Sequence, residues 1–354
     1  SGASRCADAE KGGDDLYRNI LVIDLAFIGD VILATPAVRA LYERFPDARI
    51  TMMTVPLTES VAGMNPYVDE VLVYDKRGRE KGLLGMLRMA RRLHRYRFDL
   101  AVCMNFAPRG AVVAWLARIP NRFGYDAQHG GLFLTRTASA VRAVPQHETR
   151  NQLDFMRALG FSTQDTALAL RIPAAVERSF AEKSSARRLA SAHYLVLCPC
   201  GRVPRRSLSV ETAAEFLRAF SGIPEAVPVY LIGGSQDRAH LMEIAQRAGV
   251  EERHVLAGAF SLAEIAVLLR GAAAIVTVDT GPAHIAQAVH CPTVEIFSTG
   301  DPQIWGPQGA HDVVLAEERD PVTGALPATD SIRSIAPARI CAAVQGILQQ
   351  TYKG

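Results

Sequence analysis

The chain has 354 residues, of which 49% are hydrophobic, enough for two domains that each bury their own core. The formal net charge of +3 is too small to indicate a nucleic-acid partner, and no run of 18 apolar residues could cross a bilayer. Six scattered cysteines predict reduced thiols and no disulfide framework, so we expect a cytoplasmic protein.

The first 18 residues contain no apolar segment and predict a disordered lead-in. Strand-like and helix-like segments then alternate in two series. The first series predicts strand 20–23, helix 30–45, strand 49–55, helix 57–64, strand 70–74, helix 83–96, strand 100–104 and helix 109–117. The second predicts strand 195–198, helix 210–220, strand 227–232, helix 238–248, strand 255–256, helix 262–270, strand 274–278, helix 282–289, strand 293–297 and a terminal helix 338–349.

This alternation favours parallel sheets, because parallel strands need a crossover element between them. We predict an α/β protein with two Rossmann-like, doubly wound domains at 19–172 and 193–354, the second carrying the terminal helix. A charged helix without a strand predicts a linker at 173–192. Two such domains would face each other across a cleft between the carboxyl edges of their sheets, where ligands of these folds bind.

A carboxylate follows the first predicted strand. Asp30 comes directly after Gly29 at the start of a predicted helix. A carboxylate there could take a proton from a substrate hydroxyl as a general base. The same position suits a helix cap that is stabilised by the helix dipole. Spacing alone leaves both interpretations open.

In the second series, a predicted strand turns sharply into a helix at Asp279-Thr280-Gly281-Pro282. Thr280 or Gly281 can cap the helix, and Pro282 suits its first position, so the unpaired N–H groups there predict a phosphate site. His284 lies one helical turn beyond Gly281 and could contact the phosphates or the sugar, or make a structural hydrogen bond. An ordinary strand-to-helix junction is the alternative.

Two further loops of the second series fit the same kind of ligand. Gly233 and Gly234 let a ligand approach the backbone, and Asp237 could meet ribose hydroxyls or cap the next helix. The loop 199–206 carries three arginines, which suit a diphosphate but also a solvated basic loop.

The patterns G-x-G-x-x-G and GxxxxGK[ST] are absent, which disfavours a nicotinamide or flavin enzyme. No cysteine or histidine pattern predicts a metal site.

The segment from Lys76 to Arg97 is strongly basic. It has nine Lys or Arg residues and a single acid, Glu80, interleaved with leucines and methionines. A basic amphipathic helix could lie on an anionic membrane surface or hold an anionic acceptor. A solvated helix that covers the first sheet is the alternative.

Five sequence marks occur in a fixed order. They are Ile28-Gly29-Asp30-Val31 with Thr35-Pro36-Ala37; Arg122-Phe123-Gly124-Tyr125; Gly233-Gly234 with Asp237-Arg238; Val278-Asp279-Thr280-Gly281-Pro282-Ala283-His284-Ile285-Ala286; and Phe297 through Asp301-Pro302 to Trp305-Gly306-Pro307. With these marks the chain resembles glycosyltransferase family 9, the heptosyltransferases of bacterial lipopolysaccharide synthesis, from about residue 20 to residue 348.

The resemblance implies a GT-B fold, with a nucleotide-sugar donor in the C-terminal domain and the acceptor facing the N-terminal one. It implies transfer of a sugar with inversion and without a metal or other cofactor. ADP-heptose is the first expected donor, and the acceptor would be a glycan or glycolipid. By position, Asp30 would be the catalytic base, with Gly29, Arg109 and Arg122 on the acceptor side. The implied donor-binding residues are Arg206, Gly233, Gly234, Asp237, Asp279, Thr280, Gly281 and His284, with Phe260 bordering the adenine.

Two departures from the family pattern bear on the sugar. A K-x-W-like segment of the family reads Arg206-Ser207-Leu208 here, and a histidine-proline-glycine stretch reads Cys198-Pro199-Cys200-Gly201. A transferase that uses another nucleotide-sugar and a non-lipid acceptor is therefore an alternative. Two other classes of protein also fit the sequence. They are a GT-B-like epimerase or phosphorylase, and a binding protein without catalysis. If the basic segment meets lipid, the protein would be peripheral on the inner face of the cytoplasmic membrane.

Overall fold

The computed structural model describes residues 17–141, 144–203, 206–298, 300–317, 332 and 335–351. Nearly all of the predicted lead-in, and Arg205 of the basic loop, lie outside these residues. The chain divides into two compact units. Unit 1 comprises Ser1–Val144 and Thr149–Ala167, and unit 2 comprises Pro145–Glu148 and Leu168–Gly354.

In the described part of unit 1, six parallel strands form a sheet in the order β3-β2-β1-β4-β5-β6. Its elements are β1 (Asn19–Ile23), α1 (Ile28–Leu33), α2 (Thr35–Arg44), β2 (Arg49–Thr54), α3 (Glu59–Ala62), β3 (Glu70–Val73), α4 (Gly82–Tyr96), β4 (Leu100–Cys103), α5 (Arg109–Leu116), β5 (Asn121–Asp126), β6 (Arg136–Ser139) and α6 (Glu148–Ala158). The buried strands β1 and β4 lie side by side in the middle of the sheet.

The single helix predicted at 30–45 is wrong, because the chain forms α1 and α2 with a break at Ala34. Pro36 causes the break. Proline has no N–H to donate to the carbonyl of Ile32 four residues earlier, and its ring crowds that carbonyl. The Thr35 hydroxyl donates to the Ile32 oxygen instead, at 2.6 Å, so the carbonyl keeps a partner. Pro36 lies in the first turn of the new helix, where its missing donor costs nothing.

In the described part of unit 2, five parallel strands form a sheet in the order β11-β10-β9-β7-β8. Its elements are α7 (Ala174–Ala186), β7 (Leu195–Cys198), α8 (Val210–Ser221), β8 (Val229–Leu231), α9 (Arg238–Ala248), α10 (Leu262–Gly271), β9 (Ala274–Val278), α11 (Gly281–Ala288), β10 (Thr293–Phe297), α12 (Pro302–Trp305), β11 (Val313–Ala316) and α13 (Pro337–Thr351). The predicted strand at 255–256 is only a single bridge, Leu231 to Val255.

The terminal helix α13 belongs to unit 2. Ile340, Val344, Ile347 and Leu348 are at most 2% exposed and lie in one apolar cluster with side chains of α8, β7 and β9. Burial of large aliphatic side chains on one stripe of a helix stabilises it by roughly 1.5–3 kcal/mol each. The helix is therefore part of the unit 2 core. No helix in the described residues is long and apolar enough to span a bilayer.

Helix α7 falls within the range predicted as a linker, and it packs on α10 of unit 2. Glu264 of α10 makes the contact, although its side chain is only 4% exposed. It accepts hydrogen bonds from Ser179 Oγ at 2.8 Å and Lys183 Nζ at 2.9 Å. It also closes a capping box with Ser261, which fixes the start of α10. A charged segment can therefore form a helix that packs on unit 2 when a buried carboxylate accepts hydrogen bonds from its polar side chains.

Each sheet reverses its strand order once. In unit 1 the reversal lies between β1 and β4, and in unit 2 it lies between β7 and β9. In open parallel sheets, ligands bind outside the carboxyl ends of the strands at such a reversal, because the connecting helices leave from it to opposite faces. The loops that follow these four strands are therefore where each unit is expected to bind a ligand.

Candidate functional site

Asp30 lies in the first turn of α1, and Phe27 is the helix cap residue. The backbone N–H of Phe27 donates to Asp30 Oδ2 at 3.1 Å, so the carboxylate does cap the helix from within. Asp30 is partly exposed, while the preceding Gly29 is buried in the same turn. A carboxylate with one capping bond still has acceptor capacity for a substrate proton. Capping and base chemistry are compatible at this residue.

Side chains from three strand ends hold the loop between β1 and Asp30. Asn105, after β4, accepts the Leu25 N–H on its Oδ1 at 2.7 Å. Lys76, after β3, donates from Nζ to the Leu25 carbonyl at 2.6 Å. Asp24 accepts the Ala26 N–H on Oδ1 at 3.1 Å. The backbone in front of Asp30 is thus fixed by polar side chains instead of regular structure.

Asp24 was not among the predicted site residues. It is 1% exposed, and burial first, then the charge of Asp30, raises its pKa to about 6. Hydrogen bonds from Asn105 and Ala26 and the charge of Lys76 oppose that rise. The sequence did contain a signal, because a carboxylate directly after a strand of four buried aliphatic residues must lie at the carboxyl edge of the sheet.

A cavity of about 150 Å³ opens at the strand-order reversal of unit 1. Its lining includes Leu25, Lys76, Asn105 and Arg109. Arg109 donates to the Tyr74 hydroxyl at 3.0 Å, which fixes the guanidinium at the cavity. Burial, and then the charges of Arg77 and Arg109, lower the pKa of Lys76. Crowded cations in a small cavity favour an anionic ligand, which would relieve their mutual repulsion.

Arg122 is not part of this cavity lining. Its guanidinium donates to backbone carbonyls, from Nε to Phe133 at 2.6 Å and from Nη1 to Ile119 and Pro120. The bond to Phe133 holds the connection between β5 and β6, and the other two hold the segment just before β5. The structure therefore gives Arg122 a structural use, while Arg109 lies with Lys76 at the reversal.

In unit 2, the start of α11 lies at the strand-order reversal. Thr280 is its cap residue, and the Thr280 side chain makes no hydrogen bond to the first turn. Arg206 Nη1 lies 3.3 Å from Oδ2 of Asp279, which directly precedes the cap. Burial raises the pKa of Asp279, and Arg206 opposes that rise. A helix N-terminus and a guanidinium side by side form an arrangement that suits a phosphate.

Gly233 and Gly234 form the turn after β8. Asp237 Oδ2 accepts the Gly234 N–H at 2.8 Å, so Asp237 holds this turn closed. A Cβ on Gly233 would come within 3.1 Å of Asp237 and of Leu241, so a side chain there would force these neighbours to move. Asp237 directly precedes α9, but its side chain makes no capping bond to that helix, and a ribose contact stays a prediction.

His284 is 4% exposed on α11, and its Nδ1 has no hydrogen-bond partner among the described residues. Burial first, and then His147, lowers the pKa of His284 to about 4, so the imidazole is neutral at neutral pH. A neutral imidazole can contact a phosphate or a sugar through a hydrogen bond, but it cannot form an ion pair with a phosphate. The ring centroid of Phe260 lies 5.1 Å from that of Phe180 and 5.8 Å from the Arg187 guanidinium carbon.

The described residues contain no group of three or more His, Cys, Asp or Glu side chains that could hold a metal ion. Two Rossmann-like parallel sheets with polar groups at both reversals define the GT-B class of glycosyltransferases, as the fold prediction had it. Residues 86–325 match the family described as glycosyltransferase family 9 (heptosyltransferase). The chain belongs to this family, and it is a glycosyltransferase.

Relatives and solved structures extend the match along the chain. Lipopolysaccharide heptosyltransferase 3 of Escherichia coli K12 is 23% identical over 296 residues, 80% of this chain and 83% of the relative. Lipopolysaccharide heptosyltransferase 2 of the same strain is 25% identical over 298 residues, 81% and 85% of the two chains.

Two solved structures share the fold over most of the chain. A family 9 glycosyltransferase from Veillonella parvula superposes with a TM-score of 0.84 at 22% identity, over 94% of this chain and 98% of its own. The E. coli ADP-heptose lipopolysaccharide heptosyltransferase II superposes with a TM-score of 0.78 at 21% identity, over 94% and 99%.

Proposed function

We propose that this glycosyltransferase moves heptose from ADP-heptose to a hydroxyl of an acceptor in lipopolysaccharide core synthesis, with inversion and without a metal. The names of its relatives support the sugar and the pathway. The observation that carries the proposal is Arg206 beside the N-terminus of α11 at the unit 2 strand-order reversal. This pair of features has the charge and the donors that a departing nucleoside diphosphate requires.

Asp30 is the base in this proposal. It takes the proton of the acceptor hydroxyl as that oxygen forms a bond to the anomeric carbon of the sugar. The bond from this carbon to the diphosphate oxygen breaks, and the electron pair leaves with the ADP. Attack opposite the leaving group inverts the configuration at the carbon. Gly29, directly before Asp30, is buried in the same turn and is the acceptor-side residue next to the base in this proposal.

On the donor side, Thr280, Gly281 and Arg206 receive the negative charge that develops on the diphosphate. Asp279 contacts the sugar, and His284 contributes a neutral hydrogen bond, since its pKa of about 4 leaves it uncharged. Gly233, Gly234 and Asp237 meet the ribose, and Phe260 borders the adenine. Thr280, Gly281 and Arg206 together supply the charge stabilisation that a metal ion provides in other transferases.

On the acceptor side, Lys76 and Arg109 bind an anionic group of the acceptor in the 150 Å³ cavity. A carboxylate or phosphate on the acceptor glycan fits a space of this size and charge. Arg122 acts there only indirectly, by holding the neighbouring turn. The acceptor's anion and the acceptor hydroxyl would then be held by adjacent parts of one loop cluster.

We also propose that the basic helix α4 binds an anionic lipid surface. This contact keeps the enzyme peripheral on the inner face of the cytoplasmic membrane. Leu83 and Leu84 at its start are 64% and 75% exposed, and Arg88, Arg91, Arg92 and Arg95 are exposed along it. Exposed leucines beside arginines suit the boundary between headgroups and acyl chains. No nucleic-acid partner is needed to explain the charge.

Product analysis tests the reaction. ADP should be released from ADP-heptose only when a core acceptor is present, and the rate should be the same with and without a metal chelator. Asp30→Asn should reduce turnover by about a thousandfold while ADP affinity by calorimetry is unchanged. Turnover retained in this variant, or ADP release without an acceptor, would contradict the proposal.

A different nucleotide-sugar is the second candidate, because Arg206-Ser207-Leu208 and Cys198-Pro199-Cys200-Gly201 depart from the family pattern. Thermal shifts with a panel of nucleoside diphosphates distinguish the two. Stabilisation by ADP alone favours the ADP-linked donor, and stabilisation by another nucleotide favours the alternative.

A further inference from the structure

Four backbone groups in the loop before Asp30 are each held by a side chain. Asn105 holds the Leu25 N–H, Lys76 the Leu25 carbonyl, Asp24 the Ala26 N–H and Asp30 the Phe27 N–H. Asp24 also receives the Asn105 amide on Oδ1 at 3.0 Å, which ties the end of β1 to the loop after β4. Asp24 therefore helps to hold the start of the loop that leads to the base.

The second carboxylate oxygen of Asp24 has a different environment. Oδ2 is buried and has no hydrogen-bond partner among the described residues. A buried carboxylate with one unpaired oxygen is costly in its charged form. Asn would fill the same volume and offer the same carbonyl acceptor to Ala26 without that cost. Hydrogen bonding alone does not explain an acid at this position.

The charge of Asp24 acts on Asp30. After burial, the Asp30 charge is the largest influence that raises the pKa of Asp24. Interaction between two titrating groups is reciprocal, so the charged form of Asp24 raises the proton affinity of Asp30 by the same free energy. A general base with raised proton affinity is the more effective base as long as it stays ionised at the working pH.

Other ionisable groups around this pair come from three elements. Lys76 and Arg77 follow β3, and Arg109 begins α5; the charge of Lys76 lowers the pKa of Asp24, and the charges of Arg77 and Arg109 lower the pKa of Lys76. Cys103 at the end of β4 lines the same cavity, and burial raises its thiol pKa to about 12, so it stays neutral. Tyr74 is engaged by Arg109. Among these groups, Asp24 is the one acid beside Asp30.

We propose that Asp24 is a positioning residue for Asp30: it fixes the loop that carries the base, and its negative charge makes Asp30 a stronger base. The inference rests on the proposed function, in which Asp30 accepts the acceptor's proton. Asp24 itself does not touch the substrate.

The test is the pH dependence of kcat/KM in Asp24→Asn, which removes the charge and keeps the acceptor for Ala26. Without the neighbouring anion, the acid limb of the profile should move to lower pH by about one unit, and the plateau rate should fall several-fold. The control is Asp99→Asn at the opposite end of β1, where the carboxylate also accepts backbone N–H groups. Its acid limb should not move.

A purely structural role for Asp24 would lower kcat and leave the acid limb unmoved, and that result overturns the inference. A second readout does not need activity or a folded Asp24 variant. With ¹³C-labelled carboxyl groups, Asp30→Asn should lower the NMR titration midpoint of Asp24 by about one unit, since the interaction is mutual. An unmoved Asp24 midpoint also overturns it. If Asp30→Asn stays active but the midpoint moves, the proposed base fails while the coupling between the two carboxylates stands.

Discussion

Arg206 and Asp279 pair across the strand-order reversal of unit 2, with Nη1 of the arginine 3.3 Å from Oδ2 of the aspartate. One follows β7 and the other follows β9, so neither is near the other in sequence. The side chain of Arg206 is 36% exposed and that of Asp279 15%, which leaves the guanidinium accessible to a ligand from solvent. The pair orients a cation at the start of α11.

Replacement of Arg206 should weaken ADP binding. Arg206→Met removes the guanidinium that we assign to the diphosphate, and a charge-assisted hydrogen bond contributes about 1.5–3 kcal/mol, or about ten- to a hundredfold in affinity. Calorimetry with ADP measures the change. Arg238→Met is the control, because Arg238 pairs with Glu252 on the surface of the same unit. Equal loss of affinity in both variants would argue against a diphosphate contact at Arg206.

Asp24→Asn should change how stability depends on pH. Because the folded-state pKa of Asp24 is raised from 3.8 to about 6, its stabilising contribution is complete below pH 4 and is lost as pH rises through 6. The shift corresponds to about 3 kcal/mol. Between pH 5 and pH 8, urea unfolding should show the stability of the variant rising relative to the wild type by about half of this amount, because part of the contribution is already lost at pH 5. A pH-independent difference would contradict the raised pKa.

Glu264→Gln should destabilise unit 2. Burial opposes ionisation of Glu264, but Lys183, Ser261 and Ser179 together lower its pKa to about 2. Its contribution is therefore present above pH 4.5 and is lost as pH falls towards 2. We expect about 2–4 kcal/mol of destabilisation at pH 7, measured by urea unfolding, and a smaller difference at pH 3.

The matched control for Glu264 is Arg270→Met. Arg270 pairs with Glu177 and also joins α10 to α7, but both side chains are exposed. An exposed ion pair contributes at most about 1 kcal/mol. If this variant is destabilised as much as Glu264→Gln, burial of the Glu264 contact is not what holds α7 in place.

Glu295→Gln should stabilise the protein at neutral and alkaline pH. Glu295 lies in the middle of β10 with 0% exposure, and neither carboxylate oxygen has a partner among the described residues. Burial, and then Asp279 and Asp312, raise its pKa well above 4.5, so its stabilising contribution is lost as pH rises. The melting temperature of the variant should rise relative to that of the wild type as pH increases above 4.5.

The exposed Glu251 provides the comparison for Glu295. Glu251→Gln should give a difference in melting temperature that does not change over the same pH range. If Glu295→Gln behaves in the same way, the carboxyl group has found a partner that compensates for its burial.

Local periodicity predicted most of the fold. Strands such as β1, β4 and β9 are buried on both faces, and such runs of aliphatic residues are recognisable without the structure. The strands β5 and β6 were not predicted, because their sequences NRFGYD and RTAS are polar and lie towards one edge of the sheet. Their pairing depends on neighbours that are distant in sequence, which no local pattern contains.

The same reason separates the predicted from the missed parts of the site. Asp30 and Thr280 each lie in a strand–turn–helix pattern that is visible in a few residues. Asn105 and Lys76 act on the loop before Asp30 from 80 and 51 positions away along the chain, and only the sheet order brings them there. Local sequence patterns identify the residues at a turn. The residues that hold the turn in place can be identified only from the order of the strands in the sheet.

His147 shows what the division of the chain means for protein engineering. Its four-residue segment, Pro145–Glu148, belongs to unit 2 although unit 1 residues flank it on both sides, and its Nε2 lies 3.0 Å from the Gly306 carbonyl oxygen. A gene fragment that starts at residue 168 would encode unit 2 without this imidazole. Domain exchange between relatives, or separate expression of unit 2, must therefore include this non-contiguous segment, and a simple truncation should yield a less stable product.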